Sequence, residues 1–146
     1  MQILAYDKYN PVANLYNVTN CKSLDPIFET ADIVSFHVPL QDDTIHYLND
    51  AFIHQMRKPF ILINTSRGAV VDIFSLRKGM ENGKVTGTCL DVFEEEPIGS
   101  MTIPVRNILN EIMNLPNAVV TPHIAGYTFD ALYKMSSILL EKIGHL

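Results

Sequence analysis

The segment Phe60–Asn64 (FILIN) is almost entirely apolar, and it restricts the fold more than any other part of the chain. Strands that expose one face to water alternate apolar and polar residues, whereas strands of a parallel sheet covered on both faces are continuously apolar. Strand-like and helix-like segments alternate on either side of it. The sequence therefore predicts an α/β fold, a doubly wound parallel sheet.

The predicted elements follow from residue type and hydrophobic spacing. Strands are predicted at 2–7, 16–18, 32–38, 60–64, 85–92 and 118–121. Helices are predicted after Ser23 to residue 30, after Asn49 to 56, at 72–82 before Gly83, at 102–114, and from Thr128 onward. Leu132, Met135, Leu139 and Ile143 form an apolar stripe on the last helix, which we interpret as core packing rather than a binding face.

Composition limits the class of protein. The 146 residues are enough for one domain, and 47% hydrophobic with 18% charged residues is typical of a globular protein. A formal charge of −5 without clustered Lys or Arg argues against nucleic-acid binding. No stretch resembles a membrane span or a signal peptide, so we expect a cytoplasmic protein. Cys21 and Cys89 lack metal-ligand spacing and are interpreted as free thiols rather than as a disulfide.

Three apolar strands are each followed by residue types that take part in catalysis. Arg67 lies in NTSRG (64–68), three glutamates lie in LDVFEEEP (90–97), and His123 lies in VVTPHIAG (119–126). The carboxyl ends of parallel strands share one edge of a sheet, where such folds bind ligands. A guanidinium matches a carboxylate bidentately, and an imidazole exchanges protons near neutral pH. The sequence therefore predicts a catalytic group at this edge.

Each of these residues also has a structural interpretation. Arg67 could pair with a structural acid, and an isolated His123 would more often be structural. Two of the three glutamates in the triplet are expected to be solvated loop residues. Asp7 ends the first strand, where an acidic residue can bind ribose hydroxyls or simply form a turn. Thr44 is equally compatible with a polar ligand contact and with a turn. A phosphate-binding G-x-G-x-x-G is not present in the sequence.

Taken jointly, five segments resemble the D-isomer-specific 2-hydroxyacid dehydrogenases, in the family's order and spacing. They are YDKYNP (6–11), ADIVSFHVPL (31–40), ILINTSRGAVVD (62–72), GKVTGTCLDVFEEEP (83–97) and PNAVVTPHIAGYT (116–128). The resemblance implies that Arg67 binds the substrate carboxylate and that His123 is the acid/base. It selects Glu96, directly before proline, as the partner of His123. The substrate would be a small 2-keto or 2-hydroxy acid.

The resemblance also implies NAD as the cofactor. The positions that match cofactor contacts are Asp7, Val38, Pro39, Thr44, Thr65, Arg67 and Asp91. Asp7 would favour NAD over NADP by repelling a 2′-phosphate, although Lys8 stands beside it. The segment 98–114 and Tyr127 resemble the D-lactate dehydrogenase branch of the family. A full-length member would be a homodimer.

Family members have parts that these residues do not include. They have a separate substrate domain, and their nucleotide domain begins with a strand and glycine loop in the middle of the sheet. We therefore expect residues 1–146 to form a partial NAD-binding domain, a Rossmann-like sheet lacking its first strand, without turnover on its own. The unpaired edges should lead to aggregation, segment swapping or re-pairing of strands.

Two other interpretations remain open at this point. The chain could belong to a non-enzymatic interaction module, in the manner of dehydrogenase-like transcriptional corepressors that keep the same residues. It could also be an inactive remnant. The acidic charge does not separate these interpretations from the enzyme.

Overall fold

The computed structural model describes residues 1–10 and 17–144. Its strands are β1 (Ile3–Ala5), β2 (Val18–Asn20), β3 (Ile33–Phe36), β4 (Phe60–Asn64), β5 (Val85–Leu90) and β6 (Ala118–Val120). Its helices are α1 (Asp25–Thr30), α2 (Asp50–Gln55), α3 (Ile73–Glu81), α4 (Ile103–Met113) and α5 (Phe129–Gly144). Pro11 of the first family segment and Tyr16 of the second predicted strand lie outside the described residues.

The strands form two parallel sheets. β3, β4, β5 and β6 are hydrogen-bonded in that order, and β1 pairs with β2. Phe36 lies opposite Asn64, Asn64 opposite Leu90, and Leu90 opposite Val120, so the carboxyl ends of the four strands are level. The predicted Rossmann-like α/β fold is confirmed.

No backbone pairing joins β1 to β3 among the described residues. Both strands therefore present an unpaired edge, at the position where this class of fold places its first strand. The expectation that the strands re-pair and close this gap is wrong, because each keeps its own parallel partner. Aggregation and segment swapping stay predictions.

The core lies on one face of the four-stranded sheet. Side chains from β3, β4 and β5 pack there with side chains from α1 to α4, including Val34, Phe36, Phe60, Leu62, Val85, Leu90, Phe28, Phe52, Leu76 and Leu109. The prediction that β4 is buried on both faces is wrong for Ile61, which is 37% exposed. Ile33 and Val119 are exposed as well, because the described helices of the core cover only the opposite face.

Local hydrogen bonds fix most helix starts as predicted. Asn49 Oδ1 accepts from Phe52 N at 3.0 Å, and Thr128 Oγ1 accepts from Ala131 N at 3.0 Å. Gly83 ends α3 with a φ of 76°. The prediction of Ser23 as the cap of α1 is wrong. Leu24 holds that position without a side-chain hydrogen bond. Ser23, one residue earlier, donates its hydroxyl to the Asp25 carboxylate at 2.8 Å and accepts only a long bond from the Asp25 amide at 3.4 Å.

The prediction that the stripe on α5 packs in the core is wrong for the described residues. Leu132, Met135, Leu139 and Ile143 are each 47% exposed or more, and α5 buries no residue. Helical spacing marks an apolar face, but it does not say what covers that face. Within residues 1–10 and 17–144, no helix combines the length and apolar character that crossing a bilayer requires.

Candidate active site

The segments that follow β4, β5 and β6 line one cleft at the carboxyl edge of the sheet. Its volume is about 170 Å³. The lining includes Arg67 and Gly68 after β4, Glu94 and Glu96 after β5, and His123 after β6. The structure therefore brings together the three residue types that the sequence places after successive strands.

Asn64, the last residue of β4, shapes the loop that carries Arg67. Its side chain is fully buried, Oδ1 accepts hydrogen bonds from the amide and hydroxyl of Ser66, and Nδ2 donates to the Arg67 carbonyl at 3.0 Å. The Arg67 guanidinium donates to the Ser66 carbonyl at 2.7 Å and remains exposed. The hydrogen bonds of the buried Asn64 side chain thus fix the backbone that carries the guanidinium.

Glu96 and His123 form a carboxylate–imidazole pair. Glu96 Oε2 lies 2.8 Å from His123 Nδ1, while Glu96 Oε1 accepts from the Phe93 amide at 2.8 Å. His123 has a φ of 55°, in the left-handed region that residues other than glycine seldom adopt. With a carboxylate on Nδ1, the ring holds its proton there and leaves Nε2 for a ligand. This arrangement suits proton transfer at Nε2 in the cleft.

Asp91 holds the loop that carries His123. It is 4% exposed, and it accepts hydrogen bonds from the Thr121 hydroxyl and from the amides of Ile124 and Ala125 at 2.9 Å each. Burial by itself raises the pKa of Asp91. The three hydrogen bonds and the electrostatic interaction with His123 together lower it by more, so the pKa lies below its ordinary value. The ionised carboxylate is therefore the form that stabilises the loop.

We expect Asp91→Asn to destabilise the chain by about 2 kcal/mol at neutral pH, because an amide cannot accept all three hydrogen bonds. A depressed folded-state pKa contributes stability above the unfolded pKa, and this contribution is lost as pH falls through the folded value. The difference between wild type and Asp91→Asn should therefore shrink below about pH 4. Urea unfolding at several pH values measures this, with exposed Asp42→Asn as the control. An equal difference at all pH values would contradict it.

The prediction that two of the three glutamates are solvated loop residues is wrong, because all three carboxylates are hydrogen-bonded. Glu94 accepts from His46 Nε2 at 2.7 Å and from the Ile73 amide, the first of α3, at 3.0 Å. Glu95 accepts from both the amide and the hydroxyl of Thr102 at the start of α4. Each carboxylate thus accepts a backbone amide at the start of a helix, a contact that the acidic run in the sequence does not reveal.

Gly68 and His46 were missed by the sequence reasoning. A Cβ on Gly68 would lie 1.6 Å from the Phe93 carbonyl oxygen, so the Arg67 loop and the loop before Glu96 touch through their backbones. The His46 amide donates to Ala69 at 2.8 Å on the other side of the same loop. The glycine after Arg67 in NTSRG was the available signal, because close backbone approach commonly requires glycine.

The residues predicted to contact a cofactor fall into two groups. Asp7, Pro39 and Thr65 are exposed after β1, β3 and β4, and Val38 is half-buried. Thr44 is only 9% exposed, and its hydroxyl donates to the Pro39 carbonyl at 2.7 Å. Thr44 and Asp91 therefore shape loops in this structure, and direct contact of their side chains with a cofactor stays a prediction.

Within the described part of the chain, no three His, Cys, Asp or Glu side chains are grouped so that they could hold a metal ion. Cys21 and Cys89 are both free.

The fold and the cleft define a dinucleotide-binding type of α/β domain with a charged group at the carboxyl edge of its sheet. Residues 1–125 match the family model described as D-isomer specific 2-hydroxyacid dehydrogenase, NAD binding domain. The chain belongs to this family. The predicted resemblance and the predicted cofactor class, NAD, are confirmed at the level of this domain.

Known relatives extend the comparison. The chain is 37% identical to a hydroxypyruvate reductase of Thermotoga maritima over 143 residues, which are 98% of this chain and 44% of that protein. It is 41% identical over 120 residues to a glyoxylate reductase of Thermofilum pendens, covering 82% of this chain and 33% of that one. The chain thus spans less than half the length of these relatives.

Solved structures agree with this placement. The NAD-complexed D-isomer specific 2-hydroxyacid dehydrogenase of Lactobacillus delbrueckii ssp. bulgaricus matches with a TM-score of 0.82 at 30% identity, over 97% of this chain and 44% of that one. D-lactate dehydrogenase of Aquifex aeolicus, complexed with NAD and lactic acid, matches with 0.81 at 30% identity, over 99% and 45%.

Proposed function

We propose that residues 1–146 form part of the NAD-binding domain of a D-2-hydroxyacid dehydrogenase, which reduces a small 2-keto acid to the 2-hydroxy acid. The Glu96–His123 pair in the same cleft as Arg67 is the observation that carries this proposal. The substrate domain belongs to the remainder of such an enzyme, which acts in the cytoplasm as a homodimer.

The roles follow from the chemistry of the three side chains. Arg67 binds the substrate carboxylate through its planar donor fork and stabilises negative charge on the carbonyl oxygen. His123 gives the proton at Nε2 to that oxygen, while Glu96 on Nδ1 fixes the tautomer and balances the imidazolium. NADH, when bound, supplies the hydride that reduces C2.

The residues present fit the adenosine half of NAD. Asp7 stands exposed at the carboxyl end of β1, and the amides of Asn10 and Tyr9 hydrogen-bond to it and lower its pKa. An ionised carboxylate at this position can accept hydrogen bonds from ribose hydroxyls. Pro39 and half-buried Val38 offer an apolar surface beside it.

A chimaera tests the function as an expected gain of activity. The chain replaces the segment that it matches in the Aquifex aeolicus D-lactate dehydrogenase, and NADH oxidation is followed with pyruvate, glyoxylate and hydroxypyruvate. We expect turnover with the chimaera and none with the 146-residue chain alone, because the cleft by itself encloses little of a substrate.

NADH binding by fluorescence provides the second measurement. Binding without turnover on any 2-keto acid would favour the non-enzymatic interaction module. Absence of both from a folded chimaera would contradict the proposed function.

A further inference from the structure

Lys8 directly follows Asp7, and its ammonium group has a partner across the gap between the two sheets. Lys8 Nζ lies 2.5 Å from Asp43 Oδ2, and the Tyr9 hydroxyl donates to the same oxygen at 3.1 Å. Asp43 belongs to the loop after β3, whereas Lys8 and Tyr9 follow β1. A charge pair thus connects the loops on either side of the gap.

Both partners stand on loops whose backbone is fixed. Asp7 Oδ1 accepts from the amides of Tyr9 at 2.8 Å and Asn10 at 2.9 Å, which closes the turn that carries Lys8. The buried Thr44 hydroxyl accepts from the Gln41 amide at 2.8 Å, which closes the turn that carries Asp43. Local hydrogen bonds therefore order the backbone on both sides of the pair.

The charges matter for what binds beside Asp7. A basic side chain close to this position accommodates the 2′-phosphate of NADP, whereas the acidic residue binds the 2′-hydroxyl of NAD. Asp7, Lys8 and Asp43 together carry a charge of −1, and a phosphate monoester carries about −1.5 to −2 near neutral pH. When Asp43 is replaced by a neutral residue, the summed charge of the three positions becomes zero, and Lys8 is free to contact the ligand.

We propose that Asp43 is a specificity-determining residue, which keeps this site selective for NAD by holding Lys8 in an ion pair and so denying Lys8 to a 2′-phosphate. This inference rests on the proposed function. It assigns cofactor selectivity to a residue that is far from Asp7 in sequence, through Lys8 as the intermediary. The hydrogen bond from Lys8 to Asp43, with that to Tyr9, also raises the pKa of Lys8, as expected for a held ammonium group.

The test uses the chimaera with the Aquifex aeolicus enzyme and two probes that differ only in the 2′-phosphate, 5′-AMP and 2′,5′-ADP. Dissociation constants are measured by isothermal titration calorimetry. We expect Asp43→Asn to shift the affinity ratio toward 2′,5′-ADP by about fivefold, the upper range for an exposed ion pair. Adding Lys8→Gln to Asp43→Asn should return the ratio to the wild-type value.

Asp42→Asn is the matched control, because it removes the same formal charge from the neighbouring position. An equal shift in Asp42→Asn and Asp43→Asn would overturn the inference, since general charge would then explain it. An unchanged ratio in Asp43→Asn, with both probes bound, would overturn the role of Asp43 and leave the proposed function intact. Failure of every variant to bind either probe would overturn the adenosine site at Asp7 and this inference with it, whereas turnover by the chimaera still decides the proposed function.

Discussion

Replacing His123 by alanine is expected to slow the turnover of pyruvate by the chimaera by about 10²–10⁴-fold, the usual cost of removing a positioned acid/base. The KM should change less, because Arg67 rather than His123 holds the substrate carboxylate. Steady-state kinetics measure both parameters. Unchanged turnover in a folded His123→Ala chimaera would remove His123 from the mechanism.

The glutamates provide the matched comparison for His123. Glu96→Gln should slow turnover, because Glu96 Oε2 contacts His123 Nδ1 at 2.8 Å. Glu95→Gln should leave turnover nearly unchanged, because Glu95 bonds to Thr102 at the start of α4. The converse result, with activity sensitive to Glu95 and not to Glu96, would show that the wrong member of the triplet has been assigned.

Gly68→Ala is expected to destabilise the chain by about 3 kcal/mol, the upper range for overpacking. The added Cβ would lie 1.6 Å from the Phe93 carbonyl oxygen, and neither backbone segment can rotate away as a side chain could. Since Arg67 and the loop before Glu96 meet here, the substitution should also disturb the cleft. Urea unfolding measures the stability, and amide chemical shifts report the cleft.

Gly99→Ala is the control for Gly68→Ala. A Cβ on Gly99 meets nothing within 4 Å, so its effect should stay within about 0.5 kcal/mol. Equal stabilities of Gly68→Ala and wild type would show that the two loops separate freely.

The fold was predictable because its signals are local and mutually consistent. β4 was predicted with its exact bounds from its apolar run, and Asn49 was identified as a cap from its residue type. What covers an apolar face is a tertiary property. For that reason Ile61 on β4 and the stripe on α5 were assigned to a core that does not reach them.

The site was predictable to the level of residue type and sheet edge. Strand ends in register explain why Arg67, Glu96 and His123 line one cleft. The contacts that shape the cleft were not predictable, because they join segments far apart in sequence. Glu94 with His46 is one example, and Gly68 against the Phe93 carbonyl is another.

The small sheet of β1 and β2 has a consequence for the dynamics of the cofactor site. Among the described residues, none before Leu24 belongs to the core or packs against it, so this sheet lacks the burial that protects β4 and β5. Its amide protons should exchange with solvent through local opening, while those of β4 exchange only on global unfolding. A ligand that binds Asp7 must then supply the free energy that suppresses these local openings. A substitution in β2 that touches no ligand would therefore change nucleotide affinity.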